Sequence, residues 1–179
     1  MAELTSQERL QPSLLDRLTD DRPDRQQESR DQRVFSTERL RSSVLRDLAW
    51  LLNTGNLAQM TNLEAYPEVA SSVLNYGTRD LAGLRLSLTN QEELEDAIRQ
   101  SIIDFEPRIL ADSVRVRAVF DDHEQSHNTL QFEIQGDLWN QPLPLQLYLS
   151  TVLDLESGTI AVQEGTIANN NNKGNNPNN

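Results

Sequence analysis

The sequence predicts an α+β fold, with N-terminal helices packed on a C-terminal antiparallel sheet that runs as a meander. Apolar residues recur at helical spacing up to Phe105 and at a spacing of two from Val114 onward. The period changes at Glu106-Pro107-Arg108, where a proline deletes a backbone donor and clashes with the preceding turn, so that a helix must end there. Helices first and neighbouring strands afterwards is the α+β order.

The elements follow in turn. Leu10, Leu14, Leu15 and Leu18 form a leucine cluster of one or two helical turns that can dock on a neighbour. The polar stretch from Asp20 to Arg33, with Pro23, reads as a linker. Ser36 then offers an N-cap, Glu38 places an acid in the first turn, and Leu40, Val44, Leu45, Leu48, Leu51 and Leu52 make a helical stripe. Asn53, Gly55 and Asn56, which tolerate left-handed geometry, are expected to stop it. Pro67 suits a first helical position for a short helix carrying Val69, Val73 and Leu74, closed by Gly77. Asp80 to Leu88 reads as a loop or a short extended segment. Thr89 with Glu92, or Asn90 with Glu93, supplies a capping box for a third helix with Leu94, Ala97, Ile98, Ile102 and Phe105 on its apolar face.

After Arg108, Val114, Val116, Ala118 and Phe120 alternate with arginines, and Leu130, Phe132 and Ile134 alternate with Gln131, Glu133 and Gln135. The polar loop Asp121 to Asn128 joins them into a hairpin with one buried face. Leu145, Leu147, Leu149, Thr151, Leu153 and Leu155 continue the pattern, Ser157-Gly158 turns the chain, and Ile160 with Val162 makes a last short strand. The closing NNNNKGNNPNN cannot bury enough apolar area to offset chain entropy. The expected organisation is a polar arm over 1–33, one α+β domain over 34–165 and a disordered tail over 166–179.

Composition narrows the function. The 179 residues, 36% of them hydrophobic, suffice for one ordinary core. There is no cysteine, which removes disulfides, thiolate metal sites and thiol nucleophiles and permits a reducing cytoplasmic setting. The first thirty residues lack an apolar run, so neither a signal peptide nor a membrane span is expected there. Residues 1–46 hold nine acids and nine arginines, so the net charge of −12 falls on the rest of the chain, and such a surface repels nucleic acid. All but one of the 16 basic residues are arginine, the choice for planar, bidentate pairing at protein interfaces.

Catalytic signatures are missing from the sequence. No GxSxG, Walker loop or GxGxxG occurs. His123 and His127 are four apart but lie in an acidic loop without a third imidazole, so no metal site is expected, and no cofactor. Asp104 with Glu106, or Glu133 with Asp137, could be drawn as a glycosidase pair, although acids are common on this surface. Glu106-Pro107-Arg108 carries more: a carboxylate and a guanidinium flank a rigid bond at the helix-to-sheet junction, fit to recognise another protein's polar groups. The same three residues also read as a helix stop with a surface ion pair. On the recognition reading, with Glu106 and Arg108 buried against partner groups, alanine at either strands a partner's polar group and leaves the fold intact.

Four segments, RVFSTERLRSSVLRDLAWLLNT, YPEVASSVLNYGTRDLAG, IIDFEPRI and LQFEIQGDLWNQPLPLQLYLSTVLDLESG, occur in this order. Together they resemble the TssE family of type VI secretion baseplates, which belongs with the contractile-phage baseplate wedge proteins labelled lysozyme-like. The resemblance runs from about Leu10 to Val162. It implies a non-enzymatic cytoplasmic structural subunit, placed at the inner membrane only through the assembled secretion complex. It implies that Glu106, Pro107 and Arg108 anchor the chain on the helical core bundle built by TssF and TssG, in a baseplate that also contains TssK. It further implies a β-region similar to the interlocking domain of the sheath subunits TssB and TssC, on which the first sheath ring is templated. The last strand suits that role, because its outer edge has no evident cover: Ile160, Ala161 and Val162 are the expected contacts for an added sheath strand. The family's historical label keeps a peptidoglycan glycosidase as the alternative, beside a generic acidic adaptor.

Overall fold

The computed structural model describes residues 13–19, 23–24, 36–79, 88–119, 129–139 and 144–165. Leu10, most of the linker, the 80–87 segment, Phe120, His123, His127 and the Asn-rich tail lie outside the described residues.

Among the described residues four α-helices and four strands follow in the predicted order: α1 (Leu14–Leu18), α2 (Thr37–Leu52), α3 (Pro67–Ala70), α4 (Leu88–Phe105), β1 (Arg115–Val119), β2 (Thr129–Leu138), β3 (Leu145–Asp154) and β4 (Ile160–Glu164). The sheet order is β1-β2-β3-β4, every neighbouring pair antiparallel, so the fold is α+β. The inner face of the sheet carries Leu130, Phe132, Ile134 and Leu138 from β2 and Leu147, Leu149 and Leu153 from β3. Against it α2 packs over β4 and α4 over β1, contributing Leu40, Val44, Leu48, Leu51, Leu94, Ile98 and Ile102 to one continuous core. These are the positions the two periodicities select.

The ends of the helices differ from expectation in instructive ways. Ser36 caps α2 as predicted, its Oγ accepting the Arg39 N–H at 3.2 Å. Asn53 does not close α2 by turning left-handed. It sits at φ −102°, and its side-chain amide donates to the Ala49 carbonyl at 2.7 Å. Neither Gly55 nor Asn56 adopts a positive φ. The positive φ lies instead at Gly77, 122°, as it does at Gly158 in the last turn, and a Cβ added to Gly77 would stand 2.2 Å from the Thr54 carbonyl oxygen. Its bare backbone lets Thr78 bridge to Gly55 in parallel.

The expected short helix over Val69, Val73 and Leu74 splits into α3, with Pro67 in its first turn, and a 3₁₀ turn over Val73–Asn75. Val73 and Leu74 are 81% and 69% exposed, and the buried residue of that turn is Asn75. A single turn presents too few positions for a 3.6-residue stripe to bury them, whereas the Asn75 amide ties the Ala58 N–H to the Ala70 carbonyl. Helix α4 begins at Leu88, so Thr89 and Asn90 lie within its first turn and not ahead of it as caps.

Candidate functional site

Helix α4 delivers Glu106-Pro107-Arg108 to the rim of the sheet. The Glu106 N–H still bonds the Ile102 carbonyl at 2.9 Å, and Pro107 ends the helix. The chain then pairs briefly beside the end of β2. Trp139 N–H donates to the Arg108 carbonyl at 2.8 Å, and Leu110 N–H to the Asp137 carbonyl at 2.9 Å. Ile109 forms the bridge to Leu138 and lies over Gly136, where a Cβ would come within 2.7 Å of Ile109 Cγ2. Gly136 is therefore the socket into which this junction is seated.

The two charged side chains pair with each other. Arg108 grips Glu106 bidentately: its Nε donates to Oε1 at 2.7 Å and its Nη2 to Oε2. Its other contacts go to α2, Nη2 to Asp47 Oδ2 at 2.6 Å and Nη1 to Ser43 Oγ at 3.1 Å. The Glu106 side chain is only 4% exposed and that of Arg108 19%. The pair thus corrects the reading of a surface ion pair, and Glu106 faces inward as a strut for Arg108. Burial works to lower the Arg108 pKa, but the Glu106 carboxylate, with Asp47, outweighs it and holds the guanidinium above its ordinary value.

The chain of alternating charges continues outward. Arg46 reaches Asp47 Oδ1 through Nε at 2.9 Å and Asp16 Oδ1 through Nη1 at 2.7 Å. Its guanidinium lies 5.2 Å from the centroid of Trp50. The Asp16 hydrogen bond leads the forces that raise the Arg46 pKa. At Asp16 burial pushes upward, yet the bonds from Arg46 and Ser13 leave its carboxyl below the usual range. Beside this chain opens a cleft of about 370 Å³, walled by Ser13, Asp47, Leu51, Tyr76, Phe105, Glu106, Pro107 and Arg108. Tyr76 packs edge-on against Phe105 at 5.4 Å, and its hydroxyl pKa is raised by burial and by the charges of Asp47 and Glu106.

Ser43 and Asp47 were not singled out in the sequence. Both belong to the leucine stripe of α2, spaced four apart between Leu40 and Leu51, and two polar residues interrupting an apolar face were the available signal.

The other expected site is the β4 edge. Asp154 and Gly165 donate across the β3–β4 ladder to Thr159 and Tyr148, so with strict alternation Ala161 and Gln163 also bond inward, and Ile160, Val162 and Glu164 turn their backbone groups outward. Ile160 is already satisfied: its N–H donates to Asn53 Oδ1 at 2.9 Å and its carbonyl accepts from Asn53 Nδ2 at 2.8 Å. Arg41 from α2 holds the Glu164 side chain at 2.7 Å and the Gln146 carbonyl at 2.9 Å, just beyond the end of β4. Helix α2 thus covers part of an edge that the sequence left bare. The Ala161 donor faces β3, so of the three expected edge contacts Ala161 offers no open backbone donor to an added strand.

Neither proposed carboxylate pair is arranged for glycoside hydrolysis. Glu133 and Asp137 are four residues apart on one strand, roughly 13 Å along it, beyond either working separation. Asp104 is exposed and bonded by Gln100, while Glu106 is held by Arg108. Among the described residues no group of three or more His, Cys, Asp and Glu is placed to hold a metal ion, and no helix is long and apolar enough to cross a membrane.

The search of curated proteins finds no match to this chain. A family model described as baseplate wedge protein gp25 matches residues 38–143, which takes in α2 from its second residue, the junction at Glu106–Arg108 and all of β2, and stops short of β3 and β4. That agrees with the baseplate resemblance and with a phage-tail-like structural role. The match covers more than half of the sequence, and on it the chain belongs to the gp25 family of baseplate wedge proteins.

Proposed function

We propose that this protein is a non-enzymatic TssE-type subunit of a type VI secretion baseplate, which docks on the TssF–TssG core bundle, in company with TssK, and starts the TssB–TssC sheath on its sheet. The observation that carries the reading is the charged junction: Arg108, pre-set by Glu106, Ser43 and Asp47, stands at a cleft rim beside exposed Pro107. A guanidinium already locked in geometry loses little side-chain freedom when a partner arrives. The sheath would add along the outward groups of Val162 and Glu164, with Ile160 withheld by Asn53.

Two substitutions separate these roles. Val162→Pro removes an outward-facing donor and is the cleaner test of the edge, since proline at Ala161 would break the protein's own ladder. Cells carrying Val162→Pro should fail to form fluorescent sheaths while the protein still co-purifies with TssF and TssG. Arg108→Lys keeps the charge but loses the fork, and should weaken that co-purification at physiological salt. Normal sheaths in the first case, or undiminished co-purification in the second, would refute the corresponding role.

A further inference from the structure

Helix α1 lies at the cleft with two of its three leucines turned to solvent. Ser13 forms part of the cleft wall, and its Oγ donates to Asp16 Oδ2 at 2.7 Å while Arg46 holds Asp16 Oδ1. Leu14 and Leu18, which would anchor an ordinary packed helix, are 70% and 74% exposed. A helix of five residues does not stand alone in water, and a partly exposed ion pair is a weak fastening. The charge chain is therefore the main fastening of α1, with only Leu15, 43% exposed, partly covered beside it.

We infer that α1, held at the rim of the cleft by the Asp16–Arg46 pair, is a competitor that the docking partner displaces by setting an acidic side chain of its own on Arg46 in place of Asp16. The charges favour an acid over a base. With Asp16 withdrawn, the remaining row of Glu106, Arg108, Asp47 and Arg46 is neutral and ends on an open guanidinium whose position is still fixed by Asp47 and by the Trp50 ring. A cation arriving there meets repulsion, whereas a carboxylate finds a ready donor pair. The inference rests on the proposed docking role of this cleft and adds the chemistry of the partner and a barrier to early engagement.

The test uses the full chain and a purified TssF–TssG complex at fixed physiological salt. Asp16→Ala should bind roughly two- to fivefold tighter than wild type, the range that loss of one partly exposed competing ion pair supplies. Arg46→Ala should bind more weakly than wild type and show no further change when Asp16→Ala is added. Hydrogen exchange at the Thr19 amide, which bonds the Leu15 carbonyl, should speed up on complex formation. Equal or weaker binding by Asp16→Ala, or slower exchange at Thr19 in the complex, overturns the inference. If Arg108→Lys weakens binding while Asp16→Ala leaves it unchanged, docking at the cleft stands and only the displacement fails. No binding by the wild-type chain overturns both.

Discussion

Arg108→Ala tests whether the charged junction holds the fold together as well as serving a partner. The substitution deletes both side-chain bonds to a carboxylate that is 4% exposed, leaving Glu106 with the Arg108 backbone N–H at 3.1 Å. It also frees Asp47 and Ser43 on α2. Stranding one member of a fully buried pair costs about 3–5 kcal/mol. Because Arg108 and Asp47 keep about a fifth of their side-chain surface in water, solvent screening brings the cost to the floor of that range or just below it, about 2–3 kcal/mol. For a domain of this size that corresponds to a fall in melting temperature of roughly 4–12 °C. Glu106→Ala should cost less, since Arg108 retains Asp47 and Ser43. The double variant should fall short of the sum of the two singles, which is the signature of direct coupling. The assay is urea denaturation followed by circular dichroism, with the slope checked so that midpoints convert to free energies. If Arg108→Ala unfolds within about 0.5 kcal/mol of wild type, or the two singles add, the pair does not strut the junction and the energetic reasoning fails.

Two further outcomes follow from local geometry. Gly136→Ala drives a methyl group into Ile109 and should destabilise the protein by about 1–3 kcal/mol in the same denaturation assay, with the Trp139 amide exchanging faster because its bond to Arg108 is levered open; an unchanged midpoint would mean the socket has slack. The Asp16 carboxyl is held low by Arg46 and Ser13, so its hold on α1 is complete above the ordinary carboxylate value and is lost as the pH falls through the depressed one; in NMR spectra the Thr19 amide should shift over that acid window, and a shift centred at or above the ordinary value would contradict the ion pair.

The sequence made the core legible because long elements repeat their pattern. Leu40 to Leu52 spans several turns, and β2 and β3 alternate over ten residues each, so each apolar position is supported by others. Where an element is one turn long the pattern has nothing to repeat: Val73 and Leu74, expected on one short helix with Val69, fall on a separate turn and face outward. At the junction the residue types pointed to the right place, but the partners did not. Pro107 marks the helix end in any context, whereas the acceptors of Arg108 lie 61 and 65 positions earlier on α2, a pairing only the packed fold creates. The sequence presents Asn53 as a helix stop for its backbone tolerance, whereas in the fold it acts through its side-chain amide.

That amide has a consequence for solubility. A free strand edge invites a like edge, and chains that pair this way grow into aggregates. Here both edges are stoppered by side chains: Asn53 closes Ile160 on β4, and Glu95 accepts the Ala118 N–H on β1 at 2.8 Å. Two copies meeting edge to edge would have to evict an amide on one side or a carboxylate on the other before their backbones could zip. A longer strand brought in by a committed neighbour could begin at Glu164 and Val162 and would halt at Asn53, which makes the stopper a ruler for where the addition ends.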